Sequence, residues 1–328
     1  MSEVLALNPA TYTRHAIHQG NRNWAETNCY VDVLIELIHS LGFEPRAALA
    51  FTLAIDYEVD QWGFFKFPQA DVYRLFGLEI QEFNPWRSLP ELIENQLKAG
   101  RPVLVEMDSY FLPDTQGMAY KLAHVKSTIA VNKIDRTQQI MGYFHNQGYY
   151  ELSGQDYRDI FQVDGLVHER MLPTYIEYVK SRHLQPTPSG ADLLHASIEL
   201  LKEHLQLIPA RNPFEQFKSA FAEDFLWLQT QDIELFHLYS FSNLRQYGAC
   251  FELVQTYLTW LQEQGEDGLT EAIEAFERIS VNAKTYQFQL ARAMARKKTL
   301  DTLAIDDMGR DWALGMELLK NRYLPTAG

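Results

Sequence analysis

The chain predicts an α+β domain followed by an all-helical one, on three observations. Strand-like and helix-like periods alternate as far as Tyr175, Gln185-Pro-Thr-Pro-Ser-Gly190 has linker composition, and everything beyond keeps a helical period. We therefore place one domain at residues 1–183 and a helical one at 190–328. A length of 328 residues, 46% hydrophobic and 22% charged, provides ample core for both.

The first element is a helix starting at Cys29. Val31, Leu34, Ile35 and Ile38 recur at i, i+3, i+4 and i+7, Asn28 is a good N-cap, and Gly42 with Pro45 closes the segment. A second helix is expected from Leu89 to Ala99, ahead of Gly100. Pro102-Val-Leu-Val-Glu-Met-Asp108 then reads as a buried strand, and Tyr110-Phe-Leu-Pro-Asp-Thr-Gln-Gly117 as a loop. His124-Val-Lys-Ser-Thr-Ile-Ala-Val-Asn132 and Gln139-Ile-Met-Gly-Tyr-Phe-His-Asn146 are rich in β-formers and flank a turn at Lys133-Ile-Asp-Arg-Thr137, so they predict a hairpin. Past the linker, helices are expected over Leu193 to Leu207, Phe214 to Leu228, Ile233 to Leu261, Leu269 to Lys298 and Met308 to Arg322.

Composition excludes several classes. No apolar run reaches bilayer length, and the N-terminus lacks the basic start and apolar core of a secretory signal. Two distant cysteines make no disulfide framework, which predicts a reducing, cytoplasmic setting. The net charge of −14 argues against a general nucleic-acid binder. One stretch departs from that balance: Arg278 to Leu300 holds six basic residues and no Asp or Glu. It reads either as a solvated helix face or as a landing patch for an acidic partner.

Cys29 is the most informative residue. In a helix's first turn a thiol meets the positive end of the macrodipole and unpaired backbone N–H groups, which favour the thiolate a nucleophile needs. A cysteine nucleophile also needs a base, and the base an orienting partner. If the hairpin turn is centred on Asp135, paired positions sum to 270 and His124 faces Asn146 across the ladder. A helix-borne cysteine followed by a hairpin carrying His and then Asn or Asp is the layout of papain-like folds. The predicted catalytic set is Cys29 as nucleophile, His124 as base and Asn146 as orienting group, with His145 and Asp135 open for the third position. The Cys29 backbone N–H and the Asn23 amide are the candidate oxyanion donors.

Several long runs carry a resemblance. Trp24-Ala-Glu-Thr-Asn-Cys-Tyr-Val-Asp32, Asp60-Gln-Trp-Gly-Phe-Phe-Lys66, Val105-Glu-Met-Asp-Ser-Tyr-Phe-Leu-Pro-Asp-Thr115, His124-Val-Lys-Ser-Thr-Ile129 and Gly142-Tyr-Phe-His-Asn-Gln-Gly-Tyr-Tyr150 resemble a bacterial family of unknown function. The likeness continues through Leu244-Arg-Gln246 and Gln287-Phe-Gln-Leu-Ala-Arg292. More distantly, the first domain is similar to the N-terminal domain of butirosin biosynthesis protein H, a papain-like acyltransferase. That resemblance implies a catalytic pair at Cys29 and His124, and an aminoacyl donor held on the phosphopantetheine arm of an acyl carrier protein. The related domains commonly have an aspartate where this chain has His145-Asn146. Members of the closer family are often encoded beside amino acid:carrier protein ligases.

Further groups could bind substrate. Asp56, Glu58 and Asp60 alternate as on one strand face, where they fit a cation, a substrate ammonium or a hydrogen-bonded loop. Asp108 ends a buried strand, Glu26 just precedes the cysteine, and Arg245 and Gln246 are the best contributions from the helical domain. His15 and His18 lack the further ligands of a zinc site and read as structural or near-site residues. Together these readings predict a cysteine acyltransferase without a cofactor of its own. It would move an acyl or aminoacyl group from a carrier thioester to an amine or thiol, with the helical domain as lid and Arg292, Arg296, Lys297 and Lys298 as a docking surface. A papain-like peptidase or amidohydrolase, and a non-catalytic carrier-binding module, are the alternatives.

Overall fold

A computed structural model describes residues 1–20, 22–165, 174–182 and 187–324. In chain order the elements are β1 (Ser2–Glu3), α1 (Cys29–Ser40), β2 (Tyr57–Glu58), β3 (Gln61–Trp62), α2 (Gln69–Phe76), β4 (Leu78–Glu82), α3 (Leu89–Lys98), β5 (Val103–Asp108), β6 (Lys126–Asp135), β7 (Ile140–His145), β8 (Gly148–Ser153), α4 (Gln155–Ile160) and β9 (Ile176–Ser181). There follow α5 (Ala191–Gln206), α6 (Pro213–Leu228), α7 (Ile233–Ser240), α8 (Gln246–Glu263), α9 (Thr270–Arg296) and α10 (Leu303–Tyr323). The protein is α+β, an antiparallel-sheet domain followed by a helical one. By contacts it forms two units: Met1–Gly20, Asn28–Pro45 and Val72–Thr187 make the first, and Asn21–Thr27, Arg46–Asp71 and Pro188–Gly328 the second. Among the described residues no helix is long and apolar enough to cross a membrane.

The first unit is built on a sheet of order β4-β9-β5-β6-β7-β8, with β1 added to β6, and every pairing is antiparallel. Side chains alternate faces along each strand. One face carries Val103, Val105, Met107, Ile129, Val131 and Tyr143, packed against Ile93 and Leu97 of α3 and Tyr157 and Ile160 of α4. The opposite face, with Glu106, Asp108, Lys126 and Thr128, receives α1. The α1 residues Tyr30 to Ile38 are all buried, including Asp32 and Glu36, so the helix is enclosed all round rather than along one stripe.

The β6–β7 hairpin forms, but not in the predicted register. Ile129 pairs with His145 and Val131 with Tyr143; a bulge between Val131 and Lys133 follows, and the ladder ends at Asp135↔Ile140. The turn comes after Asp135, because its Oδ1 accepts the N–H groups of Thr137 (3.0 Å) and Gln138 (2.9 Å). Asp135 opens the turn instead of sitting at its centre. His124 therefore lies ahead of β6 and does not face Asn146.

The second unit places the five helical stretches as expected, with one refinement. Ile233 to Leu261 is not one helix: α7 and α8 are joined by a π-helical segment, Phe241–Arg245. The long α9 packs on both α8 and α10. Its aromatic core includes Trp62 against Phe214 and Tyr247, with ring centroids 5.0 and 4.8 Å apart. Asp56, Glu58 and Asp60 do not share a strand face. The strands β2 and β3 are two residues each, and the chain reverses at Val59, whose φ is +65°.

Candidate functional site

Of the two thiols, only Cys29 is partly exposed. Cys250 is 0% exposed, its Sγ is 3.3 Å from the Thr52 carbonyl oxygen, and burial pushes its pKa well up, so it stays a neutral thiol. Cys29 is half-buried at the first position of α1. Asn28 is the N-cap, its Oδ1 accepting the Val31 N–H at 2.9 Å. The Cys29 thiol donates to Thr128 Oγ1 at 3.8 Å, on the sheet face where Thr128 is paired with Glu106.

That face is polar toward the end nearest the thiol. Glu106 accepts from Lys126 Nζ at 2.8 Å. Glu177, on β9, accepts from Tyr30 Oη at 3.1 Å and Tyr175 Oη at 2.9 Å. Burial, with the nearby Glu177 charge, raises the Tyr30 pKa far above a phenol's ordinary value, so Tyr30 remains the donor. Asp108 Oδ1 accepts the Tyr110 N–H, and its Oδ2 lies 2.6 Å from His124 Nδ1. Because a carboxylate only accepts, His124 donates to it from Nδ1, which leaves Nε2 as the ring nitrogen not engaged by Asp108. The His124 ring stacks on Tyr110 (4.4 Å, 11° between planes) and its side chain is 69% exposed. A cavity of about 350 Å³ opens beside it, lined among the described residues by Glu106, Asp108, Lys126 and Tyr175.

The predicted site residues thus separate. Cys29, His124 and Asp108 belong to one face of the first unit, but the thiol's partner is Thr128 and not His124. Asn146 starts the β7–β8 turn with φ +46°, one position past the Ile129↔His145 pair that ends the ladder. The group that holds His124 is Asp108, read from sequence as a substrate ligand. His145 serves elsewhere, on the opposite sheet face: its Nε2 is 2.7 Å from Ser127 Oγ and its Nδ1 2.5 Å from Asp114, which also accepts from Tyr143 Oη. Asp135 opens its turn and pairs with the N-terminal ammonium at 3.4 Å.

Asn23, Glu26, Asp60, Arg245 and Gln246 lie in the second unit. Asn23 is exposed and its backbone N–H donates to Glu252 at 2.8 Å; Glu252 also holds Arg22 and the Trp24 N–H. Arg245 donates to the Glu26 carbonyl and carboxylate at 3.1 and 3.3 Å. Gln246 is buried, and Asp60 sits in the exposed β2–β3 turn. Sequence reasoning also missed the network around His18, which bonds Glu36 through Nδ1 (2.5 Å) and Asp32 through Nε2 (3.1 Å). The i, i+4 spacing of two acids inside an apolar helix was the available signal. Among the described residues no group of three or more His, Cys, Asp or Glu side chains is arranged to hold a metal ion.

No curated protein matches the chain. The family model of the DUF1839 N-terminal domain matches residues 13–181, and that of the DUF1839 C-terminal domain matches residues 190–321. The chain belongs to the two-domain DUF1839 family, whose function is unknown.

Proposed function

We propose that the protein is a cysteine-dependent acyltransferase of papain-like architecture, with Cys29 as nucleophile, His124 as general base and Asp108 orienting the imidazole. The observation that carries this reading is the His124–Asp108 pair at the mouth of the sheet face that meets the Cys29 thiol. Resemblance of the cysteine and histidine runs to the butirosin protein H domain supports the same pair.

His124 Nε2 takes the Cys29 proton, and the thiolate attacks a thioester carbonyl. The C–S bond to the donor arm breaks, and the departing thiol recovers its proton from His124. An amine or thiol then attacks the acyl-enzyme, gives its proton to His124 and releases Cys29. Thioester exchange is close to neutral in free energy, so positioning and oxyanion stabilisation are what the protein must supply. The Cα atoms of His124 and Thr128 are at most roughly 14 Å apart along the chain. The reading therefore includes movement of the segment before β6 that brings base to thiol when substrate binds. Phosphopantetheine of an aminoacyl or acyl carrier protein is the proposed donor arm, and the helical domain is the proposed lid that excludes water.

Incubation with an aminoacyl-pantetheine thioester, with and without an added amine, tests this. Formation of the amide, lost in Cys29→Ala, is expected. Hydrolysis alone would replace the reading with an amidohydrolase, and no consumption of thioester with a folded protein would sink it.

A further inference from the structure

We propose that the C-terminal end of α9 is the docking surface for an acidic protein partner, which under the acyltransferase reading, on which this rests, is the carrier domain. Of the six basic residues between Arg278 and Leu300, two are engaged within the second unit. Arg278 binds Asp311 at 2.7 Å, and Lys284 sits 4.3 Å over the Trp24 ring. The other four, Arg292, Arg296, Lys297 and Lys298, are exposed, and among the described residues none forms an ion pair. In a chain of 43 acidic and 29 basic residues, four adjacent unpaired cations are not what surface charge alone would leave.

Complementing the helix macrodipole explains cations in the last turn, an effect that fades within that turn. It does not explain Arg292 a turn earlier, nor Phe288 one turn before that, which is 61% exposed. The surface continues onto α6. Gln229 Nε2 donates to the Lys298 carbonyl at 3.0 Å, and Leu226, three residues before Gln229 on the same helix face, is 67% exposed. Apolar anchors beside a cationic strip match a partner whose docking helix sets an apolar side chain among Asp and Glu. Such complementarity raises association rate and selects partners within a protein that is otherwise anionic.

The test measures binding of a panel of acidic holo-carrier proteins, fluorescently labelled on the phosphopantetheine, to wild type, to Arg292→Glu/Arg296→Glu and to Phe288→Ala. Turnover of a free pantetheine thioester is measured on the same proteins. The charge reversal is expected to weaken carrier binding about tenfold or more. Wild-type binding should also weaken as salt shortens the Debye length below about 10 Å. Pantetheine turnover should be unchanged in both variants. Undiminished carrier binding by the charge-reversed protein, or no binding by any carrier, overturns the proposal. So does binding of anionic vesicles or RNA, lost in the double variant, in place of carriers. Charge-dependent binding without any thioester turnover would instead keep the surface and remove the acyltransferase reading.

Discussion

Replacing His18 with alanine removes an imidazole that two enclosed carboxylates share. His18, Asp32 and Glu36 have side chains at 0% exposure, and the imidazole touches both acids, at 3.1 and 2.5 Å. Burial alone would lower the His18 pKa; the hydrogen bonds and charges of Asp32 and Glu36 outweigh it and hold the pKa above its ordinary value. Breaking such a buried pair from one side costs about 3–5 kcal/mol, because the charge left behind is uncompensated. Glu36 keeps the Tyr12 hydroxyl and the His15 N–H, which places the expected loss toward the lower end. At about 1–2 °C per kcal/mol for a chain of 328 residues, the melting temperature should fall by roughly 3–6 °C, read by calorimetry with guanidinium unfolding as a check. The pH dependence has a definite sign. Above the ordinary histidine pKa of about 6.5 the folded protein still binds a proton that the unfolded chain has lost, so this stabilisation is full below that pH. It drains away as pH rises toward the raised folded value, by at most about 1.4 kcal/mol per pH unit. His18→Ala should lack that slope. A loss below about 1 kcal/mol, or an unchanged pH profile, would refute a charged His18.

Three more outcomes follow from local geometry. Asn28→Ala leaves the buried Val31 N–H without its 2.9 Å acceptor and should cost about 1 kcal/mol by denaturant titration, whereas Asn28→Asp should retain the cap. Gly248→Ala would set a Cβ 2.5 Å from Trp24 Cζ2 and 2.9 Å from the Ala283 Cβ, and should destabilise by about 1–3 kcal/mol; a neutral result would mean that the Trp24 ring yields freely. Asp108→Asn should lower thioester turnover while leaving the unfolding midpoint nearly unchanged, and His124→Ala should lower it by about 10²–10⁴-fold; equal activity in both variants would remove the pair from the reaction.

The helices were legible because period, cap and stop signals coincide within a few residues. Asn28 caps α1, and Gly42, at φ +87°, follows its end. The hairpin was legible as strands but not in register. Asp135 reads equally as the centre of a turn and as its opening residue, and only its bonds to Thr137 and Gln138 decide which. That small displacement takes Asn146 out of the predicted pairing with His124. Partners distant in sequence were illegible for a different reason: Thr128 beside Cys29, and Asp108 beside His124, depend on how α1 lies across the sheet and how β5 pairs with β6. Asp108 stands out in the sequence for its place at a strand end, but its contact with His124 follows from where the chain returns at residue 124. The π-helical segment likewise gives no periodic signal, since one inserted residue barely disturbs a 3.6 period.

Intact-mass spectrometry after mixing with aminoacylated carrier protein tests the central claim most directly, with peptide mapping to locate any adduct. The account predicts that wild type gains the mass of the acyl group on Cys29, that Cys29→Ala gains nothing, and that added amine discharges the adduct. An acyl group carried by the Cys29→Ala protein, or a wild type that stays unmodified while the thioester is consumed, would contradict it.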